Sequence, residues 1–311
     1  MKSSTICQEW LDSLPSTEGY LKKEQSIGRE FLLEKGLPSN KDEAWRLSNF
    51  KKLNSFLSLP TIIDNEDIKS ILPEKDKNRE RIIVNPNKNS ILNINLPNGI
   101  EELNNKEIEE NLGQIVKSTN IKNDISVCLN QASSLEILAL KVKRNFNHSL
   151  EIIIPSIEEK SISTRILLLI EEGAKVDLLQ IFLGKNNSAQ NHLLEIKLES
   201  KAEFTHGLIS LGEDKESSSI CTLAVDQSEK SQYSLHSIHH GWDYARFEPR
   251  IIQSEGEAST IMKNLQVTKS KEQIATHSLI RFEGPNGKLD QLQKAVAVSY
   301  THLTLPTIYS V

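Results

Sequence analysis

The sequence predicts a mainly β protein, namely a parallel β-helix (solenoid) preceded by a small α-helical domain. Isoleucine is abundant, with 34 copies in 311 residues, while aromatic residues make up only 5%. β-Branched side chains lose rotamer freedom in helices and pack well in sheets, so this composition favours strands. After residue 124, short apolar strands alternate with small polar turns, whereas the first 60 residues show the apolar spacing typical of helices.

The helical region contains an apolar stripe that includes Tyr20, Ile27 and Phe31. This stripe predicts a helix that ends at Gly36, because glycine tolerates the left-handed conformation of a helix C-terminus. A second short helix is predicted to begin after Asn40, whose side chain would act as the N-cap.

From residue 73 the sequence becomes irregular, and turn signals surround an alternating run at 91–96 that predicts a strand. A weakly helical stretch follows at 101–117. We therefore place a domain boundary in this region. The predicted division is a helical N-terminal domain (1–72), an irregular linker with a short strand and helix (73–123), a β-helix core (124–299) and a tail (300–311).

The β-helix is predicted from turns that recur about every 28 residues. A strand-based repeat of this length is typical of a solenoid, in which each coil buries its thin interior by stacking on its neighbours. A β-sandwich or another all-β fold is the alternative. The matching turns start at residues 146, 173, 201, 229, 257 and 286.

Several classes of protein are disfavoured. A net charge of −5 and a pI near 6.0 argue against a nucleic-acid-binding protein, which would carry a basic domain. The longest apolar run, residues 166–170, has the length of a strand, and the sequence shows no signal peptide. The 3 cysteines form no CxxC motif, and no phosphate-binding glycine motif is present. We expect a soluble, cytoplasmic protein that does not hydrolyse nucleotides itself.

The densest group of chemically active residues is His236, His239 and His240, followed by Asp243. In a strand, His236 and His240 would share one face while His239 points to the other. Two neutral imidazoles and a carboxylate could form a metal site, so His236 and His240 are the weak metal-ligand candidates. The alternative is a polar, solvent-facing row of side chains.

Two further polar groups follow. His277 and Ser278 are adjacent in a predicted strand, so they point to opposite faces and cannot form a nucleophile–base pair. Arg246, Glu248 and Arg250 alternate on one face, which is typical of a solvated sheet face or a cross-strand pairing row. This row could also bind an acidic partner. No catalytic residue is assigned.

Cys128 and Cys221 lie in apolar segments that we interpret as strands. A buried cysteine normally behaves as a small apolar residue, and their neighbours supply no positive charge to activate a thiolate. We therefore expect both thiols to be structural.

Five segments resemble the SufB/SufD family. Residues 36–46, GLPSNKDEAWR, are similar to its N-terminal signature G-x-P-x-x-K-x-E-x-W-[KR]. The order and spacing of the other segments strengthen the resemblance. They are an LN-x-A segment expected to be a strand at 127–132, an R-I…E-x-x-A coil at 165–176, and stretches at 247–258 and 273–293.

The resemblance implies a right-handed parallel β-helix and a scaffold subunit of a SufBCD-type complex for iron–sulfur cluster assembly. It implies a SufB-like paralogue and a SufC-like ATPase as partners, and no nucleic acid or membrane. The chain itself would be non-catalytic, would bind no cofactor with its own residues, and the iron–sulfur cluster would belong to the complex. Within the family the SufD branch is favoured, because only Cys7 precedes the core.

The match stops near Ser299, and the tail resembles nothing in the family. We therefore expect a C-terminally truncated chain with an unrelated tail, without the SufC-docking domain of the family. A solenoid cut there would expose a strand edge at 294–298 and associate through it.

Two other functions remain open. One is a β-helix enzyme that acts on acidic polysaccharides through a groove of charged residues. The other is a metal-binding module centred on His236 and His240.

Overall fold

The computed structural model describes residues 2–60, 72–84, 96–213, 216–298 and 309–310. It is mainly β, with 44% strand and 21% helix, and forms a parallel β-solenoid of about 6 turns preceded by N-terminal helices. The predicted fold class is confirmed.

The helices lie before the regular coils. They are α1 (Lys2–Ser13), α2 (Gly19–Lys35), α3 (Phe50–Ser58), α4 (Asn105–Asn111), α5 (Gln114–Ser118) and α6 (Ile125–Ser133), with a 3₁₀ turn at Glu43–Trp45. The strands are β1 (Arg79–Ile83), β2 (Ile100–Glu102), β3 (Leu138–Val142), β4 (Ser149–Pro155), β5 (Ser161–Ile170), β6 (Lys175–Leu183), β7 (Ala189–Leu198), β8 (Glu203–Leu211), β9 (Ser218–Gln227), β10 (Gln232–His240), β11 (Tyr244–Gln253), β12 (Ser259–Lys269), β13 (Gln273–Thr276), β14 (Leu279–Phe282), β15 (Lys288–Val298) and β16 (Tyr309–Ser310).

The strands form two sheets, and each full coil contributes one strand to each. The first sheet has the order β1-β4-β6-β8-β10-β12-β15. The second sheet has the order β16-β14-β11-β9-β7-β5-β3-β2, with β13 also paired to β11. Neighbouring strands are parallel, except that β2 and β3 run antiparallel. Equivalent residues of successive coils therefore stack in straight rows.

One corner of the coil explains the repeat seen in the sequence. Gly173, Lys201, Lys230, Glu257 and Asn286 all adopt positive φ angles, between 59° and 66°. Each lies within one of the turns that the 28-residue spacing predicts. Left-handed backbone is unfavourable for side chains such as lysine, so the stacking of coils must maintain it. The repeat is thus a conformational one, and glycine is not required at each corner.

The opposite corner is crowded by stacked glycines. Gly184 and Gly212 donate backbone hydrogen bonds to the coil that follows, and Gly212 lies against Gly241. A Cβ atom on Gly184 would approach the ring of Trp242 to 2.5 Å, and one on Gly212 would approach the Gly241 carbonyl oxygen to 2.2 Å. Trp242 is buried there, and its indole N–H donates to the Ser210 hydroxyl over 2.9 Å. These glycines are needed for close approach.

A proline interrupts the pairing of β11. This strand pairs with β13 up to Phe247 and with β14 from Arg250 onwards. Pro249 lies between these two residues and has no N–H to donate to a neighbouring strand. The last coil of the second sheet is therefore divided into two short strands.

The prediction for α2 is confirmed, because the helix ends at Gly36, whose N–H donates to the Leu32 carbonyl over 2.8 Å. The prediction that Asn40 caps the next helix is wrong. Asp42 accepts hydrogen bonds from the backbone and hydroxyl of Ser39, and this closed turn leads only to the 3₁₀ turn. Asn49 instead caps α3 by accepting from the Lys52 N–H.

The predicted linker contributes to the solenoid, since β1 pairs with β4 of the first sheet. The stretch 101–117, expected to be weakly helical, begins in β2 and continues into α4 and α5. The strand expected at 91–96 falls almost wholly outside the described residues, as does the tail apart from β16. The domain boundaries stay predictions.

The prediction of a strand at 127–132 is wrong, because these residues lie in α6. This helix is buried along most of its length between α2 and the second sheet. A Cβ atom on Gly28 of α2 would approach the Cys128 carbonyl oxygen to 2.6 Å, so the two helices cross closely. Tertiary packing thus overrides the local strand preference of the segment.

Apolar side chains form one core between the two sheets and two more between the second sheet and the helices. The second sheet is therefore covered on both faces. The central strands β8 and β10 of the first sheet instead alternate between buried and accessible residues.

We predict that Gly212→Ala lowers the free energy of unfolding by about 1–3 kcal/mol, because the added methyl group meets backbone atoms of the next coil. Urea unfolding followed by tryptophan fluorescence measures the change. Gly207→Ala is the matched control, since its Cβ would approach the end of the flexible Leu179 side chain to 3.2 Å and would meet backbone only at an ordinary contact distance, 3.7 Å from the Leu178 carbonyl oxygen. An equal decrease in the free energy of unfolding in the two variants would contradict the conclusion that Gly212 is needed for close contact between coils.

Candidate functional site

The largest group of buried charges lies on the outer face of β11, beneath the N-terminal helices. Arg246, Glu248 and Arg250 are each less than 5% exposed. Glu248 Oε1 lies 2.6 Å from Arg246 Nη2 and 3.5 Å from Arg250 Nη2, and the Ser126 hydroxyl of α6 donates to Glu248 Oε2. The expectation of a solvated face is wrong, because α6 and the 3₁₀ turn cover this row and supply its partners.

Trp45, the tryptophan of the N-terminal signature, is part of this cluster. The Arg246 guanidinium lies over its ring, 3.9 Å from the centroid. Such a stacked contact is favourable because the ring face is electron-rich, and desolvation strengthens it. The signature segment is thereby attached to the centre of the second sheet.

The pKa values of two carboxyl groups in the cluster are shifted in opposite directions. Burial disfavours ionisation of Glu248, but the charges of Arg246 and Arg250 lower its pKa to about 2. Burial, with repulsion from Glu248, raises the pKa of Asp124 from its ordinary value of 3.8 to about 6, although Arg250 Nε lies 3.5 Å from Asp124 Oδ2. Glu248 is thus ionised at neutral pH, while Asp124 changes its charge near pH 6.

His277 and Ser278 point to opposite faces, as expected. Arg250 donates to the His277 carbonyl oxygen and to its Nδ1, the latter over 3.0 Å. Ser278 accepts from the amides of Gln291 and Gln293 on the interior side. Burial and the nearby arginine lower the pKa of His277 to about 4, so its imidazole is neutral and held by Arg250.

A second buried ion cluster, for which sequence reasoning gave no role, joins the second sheet to α2. Arg165 of β5 is fully buried, and its Nη2 lies 2.7 Å from Glu195 Oε1 and 2.9 Å from Glu24 Oε2. The Gly113 N–H donates to the other oxygen of Glu195 over 2.9 Å. In the sequence, the arginine of the R-I motif was the only indication of this cluster.

The histidine group of β10 is arranged as the strand pattern predicts. His236 is exposed and His240 half-buried on the outer face, while His239 is buried on the inner face. Asp243, however, is not beside them as a third ligand, because its carboxylate and carbonyl oxygens bind Lys52 Nζ at 2.5 and 2.8 Å. Within the described residues, no group of three or more histidine, cysteine or acidic residues is placed to hold a metal ion.

The three cysteines are buried and unpaired by disulfides. Cys128 lies in α6 and not in a strand as expected, whereas Cys221 lies in β9. Burial, together with Asp124, raises the pKa of Cys128 to about 12, and burial also raises that of Cys221 well above its usual range. Both thiols are therefore protonated at neutral pH and weak as nucleophiles.

The solenoid interior contains two histidines that the sequence did not single out. His192 Nδ1 lies 2.6 Å from the Thr164 hydroxyl, and its ring stacks on Phe182 with centroids 3.9 Å apart. His206 Nδ1 lies 3.0 Å from the Tyr233 hydroxyl. Burial lowers the pKa of each imidazole to about 3, so both are neutral. The sequence shows that residues alternate between the two faces of these strands. It does not show how many polar groups lie in the solenoid interior.

The interior histidines and the buried arginines all lie in the coils from β5 to β11. This part of the chain corresponds to a known domain. Residues 152–304 match the SufBD core domain. The description of that family is "SUF system FeS cluster assembly, SufBD core domain".

Two relatives support the match to the SufBD core. The protein ABCI7, chloroplastic, of Arabidopsis thaliana is 24% identical over 135 residues, covering 42% of this chain and 28% of the relative. The iron–sulfur cluster assembly SufBD family protein slr0076 of Synechocystis sp. is 24% identical over 149 residues, covering 45% of this chain and 33% of the relative. The aligned part thus spans about a third of either relative.

The SufBD core match begins after the helices that complete both ion clusters. Glu24, Trp45, Asp124 and Ser126 precede residue 152, whereas the buried arginines follow it. The matched coils therefore contain the ion pairs of Arg165 with Glu195 and of Arg246 with Glu248, and the preceding part of the chain adds further partners to each cluster. In the described parts of the chain, no helix has both the length and the apolar character needed to cross a membrane.

We predict that Asp124→Asn stabilises the protein relative to wild type by an amount that grows between about pH 4 and pH 6. With its raised pKa, folded Asp124 retains a proton that the unfolded chain releases, so wild type loses stability as pH rises through this window. Because the side chain is 37% exposed, the gain is about 1 kcal/mol after solvent screening. Urea unfolding of both proteins at several pH values measures it, and a difference that is constant with pH would contradict the assignment.

We predict that His206→Gln reduces the loss of stability on acidification. The folded-state pKa is about 3, so the unfolded chain takes up a proton below about pH 6.5 while the folded chain does not. Wild type should lose about 2 kcal/mol at this site between pH 7 and pH 5, and the variant should not. Urea unfolding at both pH values measures this. His236→Gln, the same substitution at an exposed position, is the matched control, and parallel pH profiles for wild type and His206→Gln would refute the prediction.

Proposed function

We propose that this chain is a non-catalytic scaffold subunit of a SufBCD-type complex that assembles iron–sulfur clusters. The observation that carries the proposal is the SufBD core match over residues 152–304, which includes every strand from β5 to β15. The Synechocystis relative, which is described as an iron–sulfur cluster assembly protein, supports the same process.

A non-catalytic role agrees with the chemistry of the buried groups. The arginines of both clusters are paired with carboxylates of the same chain, and the buried thiols are protonated. The interior histidines are neutral and hydrogen-bonded to neighbouring coils. These groups hold helices and coils together and present no activated nucleophile. We assign nucleotide hydrolysis to a SufC-like partner, since the sequence contains no phosphate-binding glycine loop.

The second partner is a SufB-like paralogue, and this chain takes the place of SufD in the complex. The basis for this finer assignment is the order of family motifs and the presence of only Cys7 before the core. Any iron–sulfur cluster then belongs to the complex. The cytoplasmic location stays a prediction.

Co-expression with the SufB-like and SufC-like proteins of the same organism tests the proposal. We expect the tagged full chain to co-purify with the SufB-like protein and to form a complex of defined mass by light scattering. The matched control is the SufB-like and SufC-like pair without this chain. The chain should raise the amount of cluster formed from iron and sulfide, measured by visible absorption.

Two results would refute the proposal. One is a failure of the folded chain to bind either partner when both are themselves folded. The other is an equal yield of cluster in the presence and absence of this chain.

A further inference from the structure

The outer face of the first sheet carries large aliphatic side chains. In β10, Leu235, Ser237 and His239 point inward, and the residues between them point outward. Ile238 is 42% exposed and Leu211 of the adjacent β8 is 38% exposed, although both lie in central strands. Such positions are usually polar when the face is solvated.

These side chains form two continuous rows because the parallel strands stack in register. One row consists of the seventh residue of each strand, and the other row lies two residues further on. The first row is Ile181, Ile209, Ile238 and Leu265, and the second is Leu183, Leu211, His240, Val267 and Val296. We call these two rows the aliphatic band.

The dimensions of the aliphatic band suit one α-helix. Residues two apart in a strand are about 6.8 Å apart, and neighbouring strands are about 4.8 Å apart. Ile181 on β6 is only 7% exposed, so the accessible part of the band runs over the four strands β8, β10, β12 and β15. It is about 14 Å long between its outer side chains and up to two side chains wide. A helix of about 10–14 residues covers that length and buries an apolar stripe of similar width.

The opposite sheet shows that this solenoid accepts a helix on an outer face. There, α6 crosses β5, β7 and β9, and the small or aliphatic residues Ala189 and Ile220 pack beneath the N-terminal helices. No helix among the described residues contacts β8, β10 or β12 in the same way. The aliphatic band thus occupies on the first sheet a position like the one that the N-terminal helices cover on the second sheet.

Two lysines lie at the β12–β15 end of the aliphatic band, and one carboxylate, Asp290, lies on the same face of β15, four residues before Lys294. Lys263 flanks it and Lys294 continues its first row, and neither forms an ion pair within the described part of the chain. Near the first residues of β1, β6 and β8, on the same sheet, the charges are instead paired, because Lys175 contacts Glu203 at 2.9 Å and Arg79 contacts Asp177 at 2.8 Å. Since the whole chain has a net charge of −5, this local positive excess favours a partner that carries carboxylates.

We propose that the aliphatic band binds an acidic amphipathic helix of a partner protein. Leucine-like side chains of the helix lie along the two rows, and its glutamate or aspartate residues face Lys263 and Lys294. The band supplies the apolar area, and the lysines set the orientation and the salt dependence of binding. This inference does not depend on which complex contains the chain.

A synthetic peptide tests the proposal with the full chain. The probe is a fluorescein-labelled helical peptide of about 14 residues, with leucine on one face and glutamate on the other. We expect saturable binding by fluorescence anisotropy, weakened by salt. Ile238→Asp and the double variant Lys263→Glu/Lys294→Glu should each weaken binding roughly ten-fold or more.

Two matched controls distinguish binding at the aliphatic band from nonspecific binding of the peptide. Leu33→Asp changes a leucine on α2 that is 54% exposed, more than Ile238, and should leave binding unchanged. The same peptide with lysine in place of glutamate should bind roughly ten-fold more weakly than the acidic one. Circular dichroism checks the fold of each variant, and Leu211→Ser with Ile238→Ser provides a milder change at the same surface.

Several outcomes would overturn the proposal. They are equal binding of the acidic and basic peptides, undiminished binding by the folded Ile238 variants, or no saturable binding by wild type. A wild-type dimer in light scattering that Ile238→Asp converts to a monomer would also overturn it, since the band would then be an interface between copies of this chain.

Discussion

The buried ion pairs on the outer face of the second sheet are the interaction on which the rest of the structure depends. Arg165 and Arg246 are placed by β5 and β11, and covering them without partners would leave uncompensated charges in a low-dielectric environment. Glu24 and Asp124 come from the helical region, together with the ring of Trp45. The sheet itself supplies Glu195 and Glu248 to these arginines, and the helices complete both clusters and cover them.

This dependence gives the two faces of the solenoid different roles. The second sheet is joined to the helices by charged groups that need specific geometry, so its outer face is committed to this chain. The first sheet offers aliphatic side chains, together with Lys263 and Lys294, which form no ion pair with the described residues. Such contacts tolerate more than one geometry. The outer face of the second sheet thus maintains the fold, while among the described residues the outer face of the first sheet keeps exposed side chains such as Ile238 and Leu211.

Much of the fold follows from the sequence because the coil corners recur at a regular spacing. Gly173 and Asn286 suit left-handed backbone, but Lys201 and Glu257 adopt it as well. The spacing of the turns was therefore more informative than their residue types. Local patterns failed where tertiary packing decides the conformation, as in α6, which contains β-branched residues and is nevertheless a helix between α2 and the sheet.

The candidate site was less predictable, for a physical reason. Strand alternation shows that Arg246, Glu248 and Arg250 share a face and that His239 points away from His236 and His240. It cannot show which face another element covers, so the sequence left the charged row open as a solvated face, a cross-strand pairing row or a site for an acidic partner. The interior histidines raise the same difficulty, because their partners are residues of neighbouring coils that are 26–28 positions away in sequence.

Those interior partners limit how such a solenoid can change in evolution. His206 of β8 bonds to Gln180 of β6 and to Tyr233 of β10, so one imidazole joins three consecutive coils. A dry, uniform interior would let coils be duplicated, deleted or exchanged, as in idealised repeat arrays. Here a transplanted coil would leave donors and acceptors unmatched in the coils on both sides. Each such coil therefore matches its particular neighbours, and we expect the number and order of these coils to be conserved together in evolution.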